Sequence, residues 1–152
     1  MVDFSTSIVI DAPPAVVFAH LVDAERMVTW MGERADLEPL PGGRFAVDIN
    51  GVPFRGEYLE VDPPHRVVVS WGMAGSADLP PGSSRVEFTL TRIPTGTALS
   101  LNHTGLPQTR AETHGIGWQH YLGRLHVSAG GGDPGSDTWK PINPKEDPQY
   151  VN

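Results

Sequence analysis

The stretch RFAVDINGVPFRGEYLEV, residues 44–61, joins two runs of alternating apolar and polar residues through an Asn-Gly pair. Asn-Gly is the strongest short signal for a hairpin, because both residues tolerate the positive φ angles of a type I′ turn. Side chains along a strand alternate between the two faces of a sheet. We therefore predict antiparallel strands at Arg44–Ile49 and Val52–Val61.

The same alternation continues after this hairpin. Further strands are predicted at Arg66–Met73, Ser84–Arg92 and Thr97–His103, each preceded by a turn or loop that contains proline or glycine. Together with the hairpin, they predict a meander of five antiparallel strands.

The segment before the hairpin predicts one strand and two short helices. A β-rich run, Ser7–Asp11, ends close to Pro13-Pro14. Proline suits the first turn of a helix, because the missing N–H has no partner there. Helices are then expected at about Val16–Val22 and Ala24–Met31.

The period changes from 2 to 3.6 after about Pro107, which predicts a long helix. Its apolar stripe consists of Ala111, Gly115, Trp118, Leu122, Leu125 and Ala129. A long helix that follows a meander lies across the sheet, because neither apolar face is otherwise covered. The fold class is therefore α+β, with a curved antiparallel sheet wrapped round a long C-terminal helix.

The strands divide into one apolar, aromatic face and one polar face. Two interpretations of the apolar face are open: a fully packed core, or a partly hollow core that holds an apolar ligand. An unfilled cavity costs about 24 cal/mol per Å³, so a large permanent one usually has a use. On the second interpretation, the ligand-binding residues are Trp30, Met31, Phe45, Phe54, Tyr58, Val69, Trp71, Leu101, His103, Trp118, Tyr121 and Leu122.

The composition of the 152 residues excludes several classes of function. A net charge of −7 argues against nucleic-acid binding, which depends on cationic contacts to phosphates. Without cysteine there is neither a disulfide nor a thiolate. No secretory signal and no apolar run of membrane-spanning length is recognisable, so we expect a cytoplasmic protein that is not embedded in a membrane.

The chain divides into a patterned domain, residues 1–129, and a tail rich in glycine and proline, residues 130–152. Such a tail is typically flexible. However, Trp139, Ile142 and Tyr150 are spaced apolar residues that would anchor it to the domain or to a partner subunit.

The segment HGIGWQHYLGRLH, residues 114–126, suggests a metal site at first sight. Histidines six residues apart point to three different faces of a helix, so one ion cannot bind His114, His120 and His126 together. We predict no metal, no cofactor and no assigned catalytic residue. The three glycines of this segment indicate a close approach to the helix, either by strand backbone or by a ligand.

Four segments carry a resemblance: IDAPPAVVFAHLVDAERMVTWMG, PGGRFAVDINGVPFRGEYLEVDPPHRVVVSW, SSRVEFTLTRIPTGTALSLNHTGLP and HGIGWQHYLGRL. Their order resembles the START-like (SRPBCC) superfamily, and within it the family of homologues of the activator of heat shock protein 90 ATPase. The resemblance covers about Ile8 to Leu125. It implies a helix-grip fold with a hydrophobic cavity under the long helix, closed at one end by the two short helices.

The resemblance also bears on individual residues. Trp30, Trp71, His103 and Trp118 match recurrent aromatic and histidine positions of the family, which shares no catalytic motif. The tail after Gly130 has no counterpart in the pattern.

The leading functional hypothesis is binding of a small hydrophobic ligand in the cavity between sheet and helix. The first alternative is an enzyme of polyketide cyclase or dehydratase type that uses His103 as acid or base. The second is a cochaperone-like protein-interaction module with a chaperone partner. The sequence leaves homodimerisation open.

Overall fold

The computed structural model describes residues 2–137 and 139 of the chain. Its elements, in chain order, are β1 (Val2–Ile10), α1 (Pro14–Val22), α2 (Ala24–Met27), β2 (Arg34–Leu37), β3 (Arg44–Ile49), β4 (Val52–Asp62), β5 (Arg66–Met73), β6 (Ser84–Ile93), β7 (Gly96–Leu106) and α3 (Gln108–Ala129).

All seven strands form one antiparallel sheet in the order β1-β7-β6-β5-β4-β3-β2. The predicted hairpin is confirmed: Ile49 pairs with Val52 across the turn, and Asn50 and Gly51 have φ angles of 47° and 88°. Both central residues of the turn therefore occupy the left-handed region, as a type I′ turn requires.

Three elements differ from the sequence prediction. We did not predict β2, whose charged and half-exposed residues carry little strand propensity and which pairs with β3 alone. Strand β1 begins at Val2, not at Ser7. Helix α2 ends at Met27, because Thr29 bonds back to Arg26 through its own hydroxyl and the chain continues in turns.

The core lies between the apolar face of the sheet and α3. Along β3, Phe45, Val47 and Ile49 are buried while Arg44 and Asp48 are not, as the alternation predicts. On α3, Trp118, Leu122, Leu125 and Ala129 are buried against the sheet. The predicted α+β fold, with its curved sheet and long C-terminal helix, is confirmed.

The tail returns along α3 after the helix ends. We call residues 130–137 together with Trp139 the strap. Its backbone is held by Arg124 of α3, which donates to the carbonyls of Pro134 and Gly135. Of the three predicted anchors, Trp139 packs against the domain core, whereas Ile142 and Tyr150 lie outside the described residues. Within the described part of the chain, no helix has the length and apolar character needed to cross a membrane.

Candidate functional site

A cavity opens between α3, the sheet and the strap. Strands β3, β4 and β5 form its floor, α3 forms one side, and the turn after α2 closes one end. Its wall consists of Met31, Ile49, Phe54, Trp71, Met73, Thr113, His114, Gly117, Trp118, Tyr121 and Trp139. The wall is therefore mainly aromatic and aliphatic, as is usual for sites that bind small molecules.

The cavity is narrow. Its volume is about 40 Å³. A ligand of several rings needs a pocket of roughly 300–1,000 Å³. The cavity therefore admits such a ligand only if part of its wall moves.

The aromatic side chains of the floor are packed ring to ring. Trp71 lies at the centre of this cluster, with its ring centroid 4.7 Å from that of Phe54 and 5.1 Å from that of Trp118. Tilted and edge-on ring pairs at such distances stabilise the fold by more free energy than the burial of their surface area alone would contribute. The floor is therefore the rigid part of the site.

A chain of hydrogen bonds runs beneath the floor. The indole nitrogen of Trp118 donates to Nδ1 of His103 at 3.0 Å, so the proton of this imidazole lies on Nε2. Nε2 donates to the hydroxyl of Ser84 at 2.8 Å, which donates to the carbonyl of Trp71. Both nitrogens of His103 are occupied, and burial together with the neighbouring His114 holds its pKa well below the ordinary value.

His114 stands on the wall itself. Its Nε2 accepts from the indole nitrogen of Trp71 at 3.3 Å, so Nδ1 carries the proton and donates to the carbonyl of Arg110. Burial lowers the pKa of His114 to about 4. Near neutral pH the wall therefore presents an uncharged imidazole, whose bond to Trp71 is long.

The strap closes the mouth of the cavity. The indole of Trp139 stacks on His120 with centroids 5.3 Å apart and meets Tyr121 edge-on at 5.5 Å. Asp137 accepts from the hydroxyl of Tyr121 at 2.6 Å and pairs with Nε2 of His120 at 2.9 Å. The hydroxyl of Tyr121 is thus turned toward the strap.

The family model "Activator of Hsp90 ATPase homolog 1-like protein" matches residues 11–129. The chain belongs to the AHSA1-like family. No curated protein matches it significantly.

Three solved structures illustrate the relationship. An AHSA1-like protein from Rhizobium etli is 44% identical, with a TM-score of 0.73 over 93% of this chain and 90% of the other. A heat shock protein 90 activator from Plasmodium falciparum is 25% identical, with a TM-score of 0.68 over 82% of this chain and 94% of the other. A protein from the dynemicin biosynthetic locus shares the fold, at 24% identity and a TM-score of 0.78 over 91% of this chain and 51% of the other.

The AHSA1-like fold places only part of the predicted ligand-binding set on the wall. Met31, Phe54, Trp71, Trp118 and Tyr121 line the cavity together. The other predicted residues are buried in the core away from the wall: Trp30, Phe45, Tyr58, Val69, Leu101, His103 and Leu122. Some of them have structural partners: the indole of Trp30 donates to the carbonyl of His20, and the hydroxyl of Tyr58 to that of Leu21.

Six wall residues of the AHSA1-like domain and strap were not predicted: Ile49, Met73, Thr113, His114, Gly117 and Trp139. Helical spacing contained a usable signal for three of them. Thr113 and Gly117 precede Tyr121 at intervals of four residues, and His114 stands four residues before Trp118. Trp139 had no such signal, because its position depends on the path of the strap.

The neighbours of the glycines of α3 in the AHSA1-like domain differ from those that we expected. Gly115 faces the ring of Phe4, and a Cβ atom there would lie 2.9 Å from it. Gly117 faces the indole of Trp139 in the same way, at 3.1 Å. Gly123 is exposed, and a Cβ atom at this position would have no neighbour within 4 Å. Side chains, Phe4 of β1 and Trp139 of the strap, are thus the close neighbours of Gly115 and Gly117, and strand backbone is not.

The three histidines of α3 have separate partners, as the six-residue spacing predicts. His114 contacts Trp71, His120 contacts Asp137, and His126 bonds to the carbonyl of Val9. Among residues 2–137 and 139, no three His, Asp or Glu side chains are grouped as metal ligands. Of the three, His114 belongs to the cavity wall.

Proposed function

We propose that the protein binds a small apolar ligand in the cavity between the sheet and α3. The observation that carries the proposal is the composition of the wall: five large aromatic side chains from three separate structural units surround one opening. These are Phe54 and Trp71 of the sheet, Trp118 and Tyr121 of α3, and Trp139 of the strap.

The polar atoms around the cavity favour an apolar ligand over a charged one. In the described residues, every buried side-chain nitrogen or oxygen has a hydrogen-bond partner. A charged ligand would be desolvated there without a buried counter-charge, which is unfavourable. An apolar ligand gains about 25 cal/mol for each Å² of its surface that is removed from water.

The test is to fill the floor of the cavity. Replacing Ile49 with phenylalanine adds bulk where the ligand would lie, and overpacking of this kind costs about 1–3 kcal/mol. We expect affinity for the fluorescent probe anilinonaphthalene sulfonate (ANS), whose aromatic rings enter the cavity while its sulfonate stays in solvent, to fall by about tenfold or more. Val69→Ile is the matched control, because Val69 is buried on β5 but does not line the cavity.

Equal ANS affinity in both variants and the native protein would contradict a site in this cavity. Native mass spectrometry of protein purified from its source gives an independent readout. A co-purifying apolar molecule that is retained by Val69→Ile and lost by Ile49→Phe supports the proposal and identifies the ligand.

An enzymatic role for His103 remains a prediction that the geometry does not favour. General acid–base catalysis needs an imidazole nitrogen within reach of the substrate. His103 is 0% exposed, is absent from the wall, and has both nitrogens bonded to protein groups. If His103 is catalytic, His103→Ala abolishes turnover but leaves ligand binding nearly intact.

The chaperone partner, the homodimer and the cytoplasmic location also remain predictions. The Plasmodium falciparum relative is a heat shock protein 90 activator, which makes the first of them a direct question for this family member. Stimulation of the ATPase of the chaperone from the same organism is the decisive measurement.

A further inference from the structure

We propose that Trp139 is the residue that sets the size of ligand the cavity admits, and that Asp137 is the latch that keeps it seated. This inference rests on the proposed function, since it concerns access to the same cavity. It adds that the strap must open for a large ligand to enter.

Trp139 differs in origin from the rest of the wall. The residues matched to the family are 11–129, so the strap adds a side chain to a cavity that the family domain itself forms. The indole covers Gly117, where a Cβ atom would lie 3.1 Å from it. Glycine at this position of α3 therefore makes room for the ring of Trp139.

The latch is a single carboxylate that holds two side chains of α3. Asp137 accepts from Tyr121 at 2.6 Å, pairs with His120 at 2.9 Å, and accepts from the backbone N–H of Trp139 at 3.2 Å. Asn50, in the turn of the β3–β4 hairpin, donates to the carbonyl of Trp139. The indole is thus fixed from α3 on one side and from the sheet on the other.

These contacts suit a lid that opens without unfolding of the domain. The strap is joined to α3 mainly by hydrogen bonds and by one aromatic ring, and its residues Gly131 and Gly135 have φ angles of 95° and 77°. Segments held in this way open at a lower free energy than the core does. By contrast, the aromatic cluster around Trp71 is packed ring to ring, and Trp71 itself is only 3% exposed.

The small volume of the cavity is the reason why the strap must open for a large ligand. With Trp139 seated, the volume of the cavity is only about 40 Å³. The second aromatic ring of a larger ligand competes for the volume that the indole of Trp139 occupies. Ligands of two or more rings therefore enter the cavity only when the strap is open. Their apparent affinity is the affinity of the open form multiplied by the fraction of molecules whose strap is open.

The experiment compares ANS with benzene, a one-ring probe, in the full chain. The variants are Trp139→Ala, which removes the lid, and Asp137→Asn, which weakens the latch but keeps the indole. Glu112→Gln is the matched control: it removes one negative charge from an exposed position of α3, away from the wall and the strap. Circular dichroism and thermal unfolding establish that each variant is folded.

We expect Trp139→Ala to bind ANS at least about tenfold more tightly than the native protein, because the cost of opening is removed. The ANS affinity of Asp137→Asn should lie between those of the native protein and Trp139→Ala, and this variant should bind ANS faster than the native protein does. Glu112→Gln should match the native protein in both affinity and rate. Adding Ile49→Phe to Trp139→Ala should abolish the gain, which assigns the probe to the cavity.

Equal ANS affinities and association rates in all variants would overturn the lid while leaving the proposed function intact. If folded native protein and variants bind neither ANS nor benzene, the proposed function fails and the lid with it. Should Trp139→Ala not fold, the association rate of ANS to Asp137→Asn decides: a native rate overturns the proposal, and a faster rate supports it.

Discussion

At the scale of single residues, two histidines next to the aromatic cluster, His103 and His114, are held uncharged by their surroundings. His103 accepts from Trp118 and donates to Ser84, and His114 accepts from Trp71 and donates to the carbonyl of Arg110. A protonated imidazole cannot accept a hydrogen bond, so protonation breaks one indole contact at each site. Their neutrality is therefore part of the packing.

This arrangement predicts acid sensitivity in a defined pH range. An unfolded histidine titrates near 6.5, whereas the folded pKa of His114 is about 4 and that of His103 is also lowered. The unfolded state therefore binds more protons below pH 6.5. Stability is full above that pH and falls on acidification, by about 1.4 kcal/mol per pH unit for each histidine.

Urea unfolding between pH 8 and pH 4.5 measures this loss. We expect His114→Gln to have a shallower slope than the native protein below pH 6.5, because one of the two depressed groups is gone. His65→Gln, at an exposed position, is the control and should keep the native slope. Identical slopes for His114→Gln and the native protein would show that His114 is not held neutral.

The sequence identified some residues of the site and missed others for a physical reason. Met31, Phe54, Trp71, Trp118 and Tyr121 were found because large apolar side chains on one face usually point into the core. Alternation along a strand distinguishes the apolar face of the sheet from the polar face. It does not distinguish a side chain that lines the cavity from a neighbouring side chain that is packed in the core. That distinction depends on a few ångströms of relative placement between elements.

At the scale of elements, the loop between β5 and β6 is tied to the start of α3 by one ion pair. The guanidinium of Arg110 donates to both oxygens of Asp78 at 2.8 and 2.9 Å, and this holds the pKa of Asp78 well below its usual range. The side chain of Arg110 is only 6% exposed. Next to this pair, Leu79 is 0% exposed in the core.

We predict that Asp78→Asn destabilises the protein by about 2–4 kcal/mol, because it leaves a buried guanidinium without its counter-charge. The midpoint of urea unfolding near neutral pH measures the effect. Asp36→Asn is the comparison: Asp36 pairs with Arg44 on the exposed surface of β2 and β3, and its loss should leave the midpoint nearly unchanged. Equal shifts in the two variants would contradict a special role for Asp78.

Elements whose sequence contains a specific turn signal or a long hydrophobic period were predicted well, and elements without such a signal were not. The Asn50-Gly51 hairpin and the long helix were located from turn chemistry and from a sustained 3.6 period. β2 was missed because its four residues, although they alternate between charged and apolar, are too few to indicate a strand, which exists through its pairing with β3. The length of α2 was overestimated because Thr29 and Trp30 bond to residues three positions earlier, as in turns, although Trp30 and Met31 are buried as they would be on a helix.

At the scale of the whole molecule, a rigid domain carries a more weakly held strap. The strap amides of Gly132 and Trp139 bond to the carbonyl of Val127 and the carboxylate of Asp137. The strands of the core are bonded on both sides within the sheet. These two parts should therefore open independently.

Hydrogen exchange tests this independence. We expect the amides of Gly132 and Trp139 to exchange by an opening that is nearly insensitive to urea, whereas that of Val69 in the central strand β5 exchanges only on global unfolding. A saturating ANS concentration should change the exchange rates of the strap amides and leave the relative exchange rates of the core amides unaltered. Exchange of strap and core at the same rate and with the same urea dependence would contradict a separately opening strap.

The order of the strands also has a consequence for how the protein is made. The first strand, β1, pairs only with the last, β7, with Ile10 opposite Thr97 and Val2 opposite Leu106. At about 5–20 residues per second on the ribosome, β1 waits roughly 5–20 s for its partner to be synthesised. During that time the hairpins from β3 to β6 form from neighbouring sequence, and β1 emerges as an edge that a nascent-chain chaperone is well placed to cover.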